Sequence, residues 1–173
     1  MNSKVKLAIS GLILAVLVLS IINFQLHAPQ QREIIKPPPA TLMIDGKEQV
    51  SGVGSYCWNG VFSSVCADYA GIPTVSEPLP ANSTFTAHLV LPLKEPPQEL
   101  QLKVAQVTNK DMLEPGAGDI RLWRSGEGKY LTLPLESEQD VNLSLEPGLY
   151  VLEVFPGWKE KGSVSYGFLI KVE

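Results

Sequence analysis

The chain predicts an all-β, antiparallel sandwich preceded by a single transmembrane helix. Three observations carry that prediction. Residues 7–26 form an apolar run without a charge, apolar residues alternate with period two from residue 41 onward, and turn residues punctuate the alternation.

The apolar run reads LAISGLILAVLVLSIINFQL. A helix rises about 1.5 Å per residue, so about 20 residues cross a hydrocarbon core of about 30 Å. Lys4 and Lys6 precede it, which suits a cytoplasmic stretch 1–6 and a signal anchor at 7–26. A cleaved secretory signal is the competing reading. It fits less well, because Ala28 at the cleavage position would put Leu26 where a small residue belongs. No Cys follows the run before Cys57, which excludes a lipoprotein cleavage box. Both readings put the rest of the chain outside the cytoplasm, and the anchored one makes it a single-pass protein of the cell membrane. Residues 27–40 read as a linker in which Pro37, Pro38 and Pro39 favour extended polyproline II, a semi-rigid spacer.

Residues 41–173 read as one extracytoplasmic domain. Its clearest strands are at the end. Tyr150, Leu152 and Val154 alternate with Val151 and Glu153. Val164, Tyr166, Phe168, Ile170 and Val172 alternate with Ser165, Gly167, Leu169 and Lys171. Val141, Leu143 and Leu145, and Leu100, Leu102 and Val104, follow the same rule. Shorter candidates lie at 42–44, 54–58, 85–91, 120–123 and 130–133, and 108–113 offers one short helical turn. Asp45-Gly46 and Asn59-Gly60 are hairpin signals, since both turn positions require positive φ. Prolines between 73 and 97 break strands or mark edges. Eight or nine short strands in this length describe a sandwich. The stretch from Leu145 to Tyr150, with Pro147-Gly148 before the tyrosine, resembles the corner of immunoglobulin-like sandwiches. There a tyrosine hydroxyl ties back to the backbone at the start of a late strand.

Cys57 and Cys66, with eight residues between them, are the only cysteines. Outside the cytoplasm they are expected to form a disulfide. Redox work would need closer thiols and a basic neighbour, and neither is present. The strings SYCW…CADYA and GLYVLEVFPGW…GSVSYGFLIKV resemble a group of uncharacterised small extracytoplasmic proteins of bacteria, membrane-anchored or lipoprotein-type. That resemblance implies topology and no activity. This chain departs from the lipoprotein members in lacking a lipidated Cys.

Tyr56 and Trp58 share one strand face and Cys57 points to the other. They read as core with the disulfide clipping the surface, the alternative being an outward aromatic patch. Trp158, in a Gly-flanked loop between the last two strands, reads as partly exposed. These three are the weak candidates for ligand contact. Asp111, Glu114 and Asp119 surround a Pro-Gly loop and are weak calcium candidates, without the ligand spacing of an EF-hand.

Charge and composition exclude several activities. Lys4, Lys6, Arg32 and Lys36 against Glu33 leave residues 1–40 at +3, so residues 41–173 carry −7 of the net −4. Such a domain is unsuited to nucleic acid, whose recognition needs Lys and Arg against phosphate. His88 is the only His in the domain and reads as structural. Glu136, Glu138 and Asp140 read as a solvated charged connection. No nucleophile elbow or phosphate loop is present, no cofactor is called for, and the chain reads as a non-enzyme. Asn82-Ser83-Thr84 and Asn142-Leu143-Ser144 match the glycosylation pattern, which is accidental in a chain of bacterial type. The expectation is a binding or interaction module that meets a protein, peptide or glycan outside the membrane. The alternatives are an accessory subunit of an envelope assembly, or a protease-inhibitor-like sandwich presenting residues 73–80.

Overall fold

Alternation of β-branched, aromatic and aliphatic residues with polar ones makes a strand that hides one face. The chain repeats this device from Thr41 to Val172. The structure, a computed structural model, describes residues 35–69, 71–75, 77–108, 113–115, 119–122 and 128–173. The run 7–26 lies outside the described residues, as does most of the short turn expected at 108–113. Among the described residues no helix is long and apolar enough to cross a membrane.

Among the described residues fourteen strands follow one another: β1 (Thr41–Ile44), β2 (Lys47–Val50), β3 (Gly52–Asn59), β4 (Ser64–Ala67), β5 (Ile72–Val75), β6 (Leu79–Ala81), β7 (Thr84–Val90), β8 (Glu99–Gln106), β9 (Leu113–Pro115), β10 (Asp119–Leu122), β11 (Gly128–Thr132), β12 (Glu138–Ser144), β13 (Gly148–Trp158) and β14 (Gly162–Val172). One sheet has the order β12-β7-β1-β2. A larger sheet runs β11-β8-β13-β14-β3-β4, with β6 also on β14. A third, small sheet has the order β5-β10-β9. Every pairing is antiparallel except that of β6 with β14.

The two larger sheets share one apolar core. Leu42, Ile44, Phe85, Ala87, Leu89, Val141 and Leu143 come from the first. Leu100, Leu102, Tyr150, Leu152, Val154, Tyr166, Phe168 and Ile170 come from the second. Leu152 opposes Phe168 on one side and Val104 on the other, so the alternation read at the C-terminal hairpin is the core register. Asp45 and Gly46, at φ 48° and 75°, make the β1–β2 turn that their sequence announces. Tyr150 donates its hydroxyl hydrogen bond to the Glu146 carbonyl at 3.0 Å, closing the corner between β12 and β13.

Several sequence expectations need correction. Residues 35–40 are not a free spacer. Pro37 and Ala40 are buried, and the Tyr166 hydroxyl bonds the Pro38 carbonyl at 2.8 Å. A proline-rich chain has few backbone donors to satisfy, so it can lie against a sheet at little polar cost. Leu169 and Val151, on the face opposite the core, are also fully buried. β5 runs close to β14 and β3, and both edges of β14 are already taken by other strands. Around the middle of β13 and β14 the larger sheet is therefore covered on both faces. Residues 73–80 do not form a free inhibitor loop, because 72–75 pairs with β10 and 79–81 with β14. Glu138 and Asp140 lie within β12, opposite Val90 and His88, rather than in a connection.

One side chain completes the ladder of β14. Along one edge β14 pairs with β3 as far as Gly167, then with β6 from Ile170 onward. Leu169 falls in the gap. The Gln49 carboxamide fills it: the Leu169 N–H donates to Gln49 Oε1 at 2.9 Å, and Gln49 Nε2 donates to the Leu169 carbonyl at 3.1 Å. Nε2 also reaches the Glu77 carbonyl at 2.9 Å, anchoring the approach to β6. A primary amide carries the donor and acceptor of a peptide group, so it can stand in for a missing strand.

Gln49→Leu would keep the volume and leave a buried N–H and C=O unsatisfied. The expected loss is about 2–4 kcal/mol, whereas Glu48→Leu on the exposed face should change stability by within about 0.5 kcal/mol. Urea midpoints of the two variants and the parent measure the difference.

Candidate functional site

The disulfide hairpin and the covered face of the larger sheet together build a groove of about 930 Å³. Its floor is Glu153 and Phe155 of β13 with Ser163 and Ser165 of β14. Its walls include Glu99 and the Asp68–Tyr69 segment that follows β4.

A β-bulge shapes one wall. Val164 opposes Tyr56 but Tyr166 opposes Val53, so β3 carries one extra residue at Gly54-Ser55. A bulge redirects the side chains around it. Here the Ser55 hydroxyl donates to Asp68 Oδ1 and accepts from the Tyr69 N–H, each at 3.0 Å. Cys57 and Cys66 face each other across β3 and β4 with Cα atoms 4.0 Å apart, and are joined as expected. Both are exposed on the groove side.

The aromatic candidates divide. Trp58 is core, as the preferred reading had it. Tyr56 is partly buried, packs against the core and lines the groove. Trp158 contradicts its reading as partly exposed: it ends β13 rather than lying in a loop, and is 3% exposed. The cause is Gly162, the cross-strand partner of both tryptophans. With no side chain between them, the indoles meet edge to face at 5.8 Å and 88°. Gly162 also has φ 96°, and a Cβ there would lie 2.1 Å from the Cys57 carbonyl oxygen. The Trp158 indole N–H is satisfied by the Glu95 carbonyl at 2.9 Å. Of the calcium candidates, Asp111 lies outside the described residues, Glu114 lies on β9 and Asp119 on β10. Among the described residues no group of His, Cys, Asp and Glu is placed to hold a metal ion.

Sequence reading missed Glu153, the most unusual group in the groove. Alternation sets it on the face of β13 opposite Leu152 and Val154, and there it is 8% exposed. Its cross-strand partner Lys103 is buried beside it, with the ammonium 5.6 Å from the centre of the Tyr130 ring. Burial pushes the Glu153 carboxyl up to about 7, against the opposing pull of the Lys103 charge. A second charged cluster sits on the outer face of the smaller sheet. His88 Nδ1 lies 2.7 Å from Asp140 and Nε2 lies 3.1 Å from Glu138. The Asp140 hydrogen bond leads in raising its pKa above 6.5, with Glu138 adding to it.

No protein-family model matches the chain, and no curated protein matches it.

Both shifts imply a fold that loses stability as pH rises. A carboxyl that holds its proton more tightly when folded stabilises the fold below its unfolded pKa, and that contribution drains away as pH climbs to the folded value. For Glu153 the window runs from about 4.5 to about 7. Glu153→Gln, which mimics the protonated acid, should match the parent near the acid end and exceed it in melting temperature above the window. A parallel profile for the two proteins would contradict the assignment. For His88, the stabilisation is complete below 6.5 and is lost as pH passes the raised folded value. NMR titration should place the His88 midpoint above 6.5 in the parent and lower in Asp140→Asn.

Proposed function

We propose that the protein is a membrane-anchored, extracytoplasmic binding module, non-enzymatic, whose groove takes a cationic segment of a protein or peptide partner. The observation that carries this reading is the charge of the groove. Among the described residues, Asp68, Glu99 and Glu153 line it, with no Lys, Arg or His beside them. Tyr56, Tyr69 and Phe155 add aromatic surface suited to the alkyl stem or planar head of a Lys or Arg side chain. Placement outside the cytoplasm draws on the uncharged run 7–26 and on the Cys57–Cys66 disulfide.

The scaffold fits an immunoglobulin-like sandwich in several respects. β1, β7 and β12 are neighbours in one sheet, and β8, β13 and β14 in the other. The chain crosses between sheets from β7 to β8 and from β12 to β13, as it does in Greek-key sandwiches. β6 runs parallel to the last strand, and Tyr150 makes the corner hydrogen bond. On this reading the β3–β4 hairpin is an addition that widens the larger sheet and supplies one wall of the groove. Binding sites on such sandwiches are commonly assembled from additions to a rigid frame.

A lysine-rich peptide titrated against the full-length chain, followed by the amide shifts of Ser163, Ser165 and Phe155, tests the proposal. The expected result is saturable shifts, weakened about tenfold or more by Asp68→Asn combined with Glu99→Gln. Affinity should rise with pH as Glu153 ionises. An equal response to a glutamate-rich peptide, or shifts confined to the opposite sheet, would count against it.

A further inference from the structure

The tip of the disulfide hairpin breaks the usual chemistry of turns. Asn59 and Gly60 were expected to make the turn. Instead Asn59 ends β3, and a four-residue turn is closed by the Gly60 N–H donating to the Ser63 carbonyl at 2.8 Å. Its two central residues are Val61 and Phe62, 84% and 99% exposed. Turn centres ordinarily carry Gly, Asn, Asp or Ser, for conformational and hydrogen-bonding reasons that neither residue meets. Two apolar side chains held in water contribute nothing to the core.

The tip is also firmly held. The Cys57–Cys66 bridge lies below it, Ser64 Oγ donates to Asn59 Oδ1 at 2.7 Å, and Asn59 Nδ2 donates to the Glu160 carbonyl at 3.1 Å. Two further features mark this end of the domain. First, the chain enters here: Ile35 packs against the turn, its Cδ1 only 2.8 Å from where a Cβ on Gly60 would stand. Only residues 27–34 separate Ile35 from the end of the apolar run. Their full extension is at most about 30 Å. Second, basic residues gather here in an otherwise acidic domain. Lys36 follows Ile35, Lys159 and Lys161 flank Glu160 in the turn that Asn59 touches, and Lys94 precedes Glu95, whose carbonyl holds Trp158.

We propose that Val61 and Phe62 dip into the surface of the lipid bilayer, with the surrounding lysines against anionic headgroups. The proposal rests on the anchored reading above and adds a second contact to it. An aromatic residue and an aliphatic one at a held tip, with Lys159 and Lys161 in the adjoining turn, suit the interfacial zone, where apolar groups are buried and basic groups meet lipid phosphate. With the chain entering beside the tip, both attachments lie at one end of the domain.

The test uses the full-length, isotopically labelled chain in nanodiscs of mixed phosphatidylglycerol and phosphatidylcholine, with and without doxyl-labelled lipid. Amide signals of Val61, Phe62 and their neighbours should be broadened by the doxyl group, together with those of residues 7–26. Replacing both tip residues by Ser should remove the broadening at the tip while the core signals of β13 and β14 keep their positions. Phe62→Trp should retain it. Discs of phosphatidylcholine alone should weaken it. Broadening at 7–26 with none at the tip would overturn the tip contact alone and leave the tip as a protein-binding element. Broadening at neither would overturn the anchored reading and this proposal with it. Unchanged broadening in the double Ser variant would also overturn it.

Discussion

Everything in this domain is arranged around the hydrogen-bonding demands of one strand. β14 is flanked by β13 on one edge and by β3 and β6 in turn on the other, and its side chains are buried on both faces over much of its length. A strand so enclosed has no water to satisfy its backbone, so each N–H and C=O needs a protein partner. The change of partner from β3 to β6 leaves a break, and Gln49 closes it. Because the same amide holds the Glu77 carbonyl, the route of the chain into β6 and the completeness of β14 are a single problem with a single solution.

The β14 constraint extends to the groove. Covering the outer face of the larger sheet buries Glu153 and Lys103 together, at adjacent positions on β13 and β8. A buried acid beside a buried base settles its charge by the balance of desolvation and attraction, and here desolvation leads. The groove therefore carries a carboxyl that titrates near neutrality, beside the exposed side chains of Glu99 and Asp68. Its negative charge grows as pH rises through neutrality.

The sequence made the C-terminal hairpin legible because Tyr150 to Val154 and Val164 to Val172 alternate over a length that no helical pattern imitates. Asp45-Gly46 was legible because its turn type is demanded by local backbone conformation alone. Short edge strands such as β2, β4 and β6 were not. Three or four residues carry too little periodicity, and Pro80 in β6 argues against a strand unless its partner is known. Glu153 was hidden for a different reason. Alternation assigns a residue to a face, but whether that face meets water depends on β5 and the strands near it, which lie far away in sequence. Asn59-Gly60 misled because the disulfide register places Cys57 opposite Cys66, and with that pairing fixed the midpoint of the hairpin falls at Val61 and Phe62.

That last displacement links the covalent framework to the surface. Two cysteines with eight residues between them, paired directly across a ladder, allow one hairpin register only, since a slip of one residue would send their side chains to opposite faces. The bridge therefore determines which two residues stand at the tip. Continued past the last paired residues, the same register brings Ser55 to Asp68, where their side chains hydrogen-bond. Without the bridge, Asn59-Gly60 would offer the better turn, and a shift toward it would move Val61 and Phe62 into the strand. An apolar tip is thus something the chain maintains against its own local preference. The groove wall and the tip are two products of that one pairing, which places both on a single hairpin.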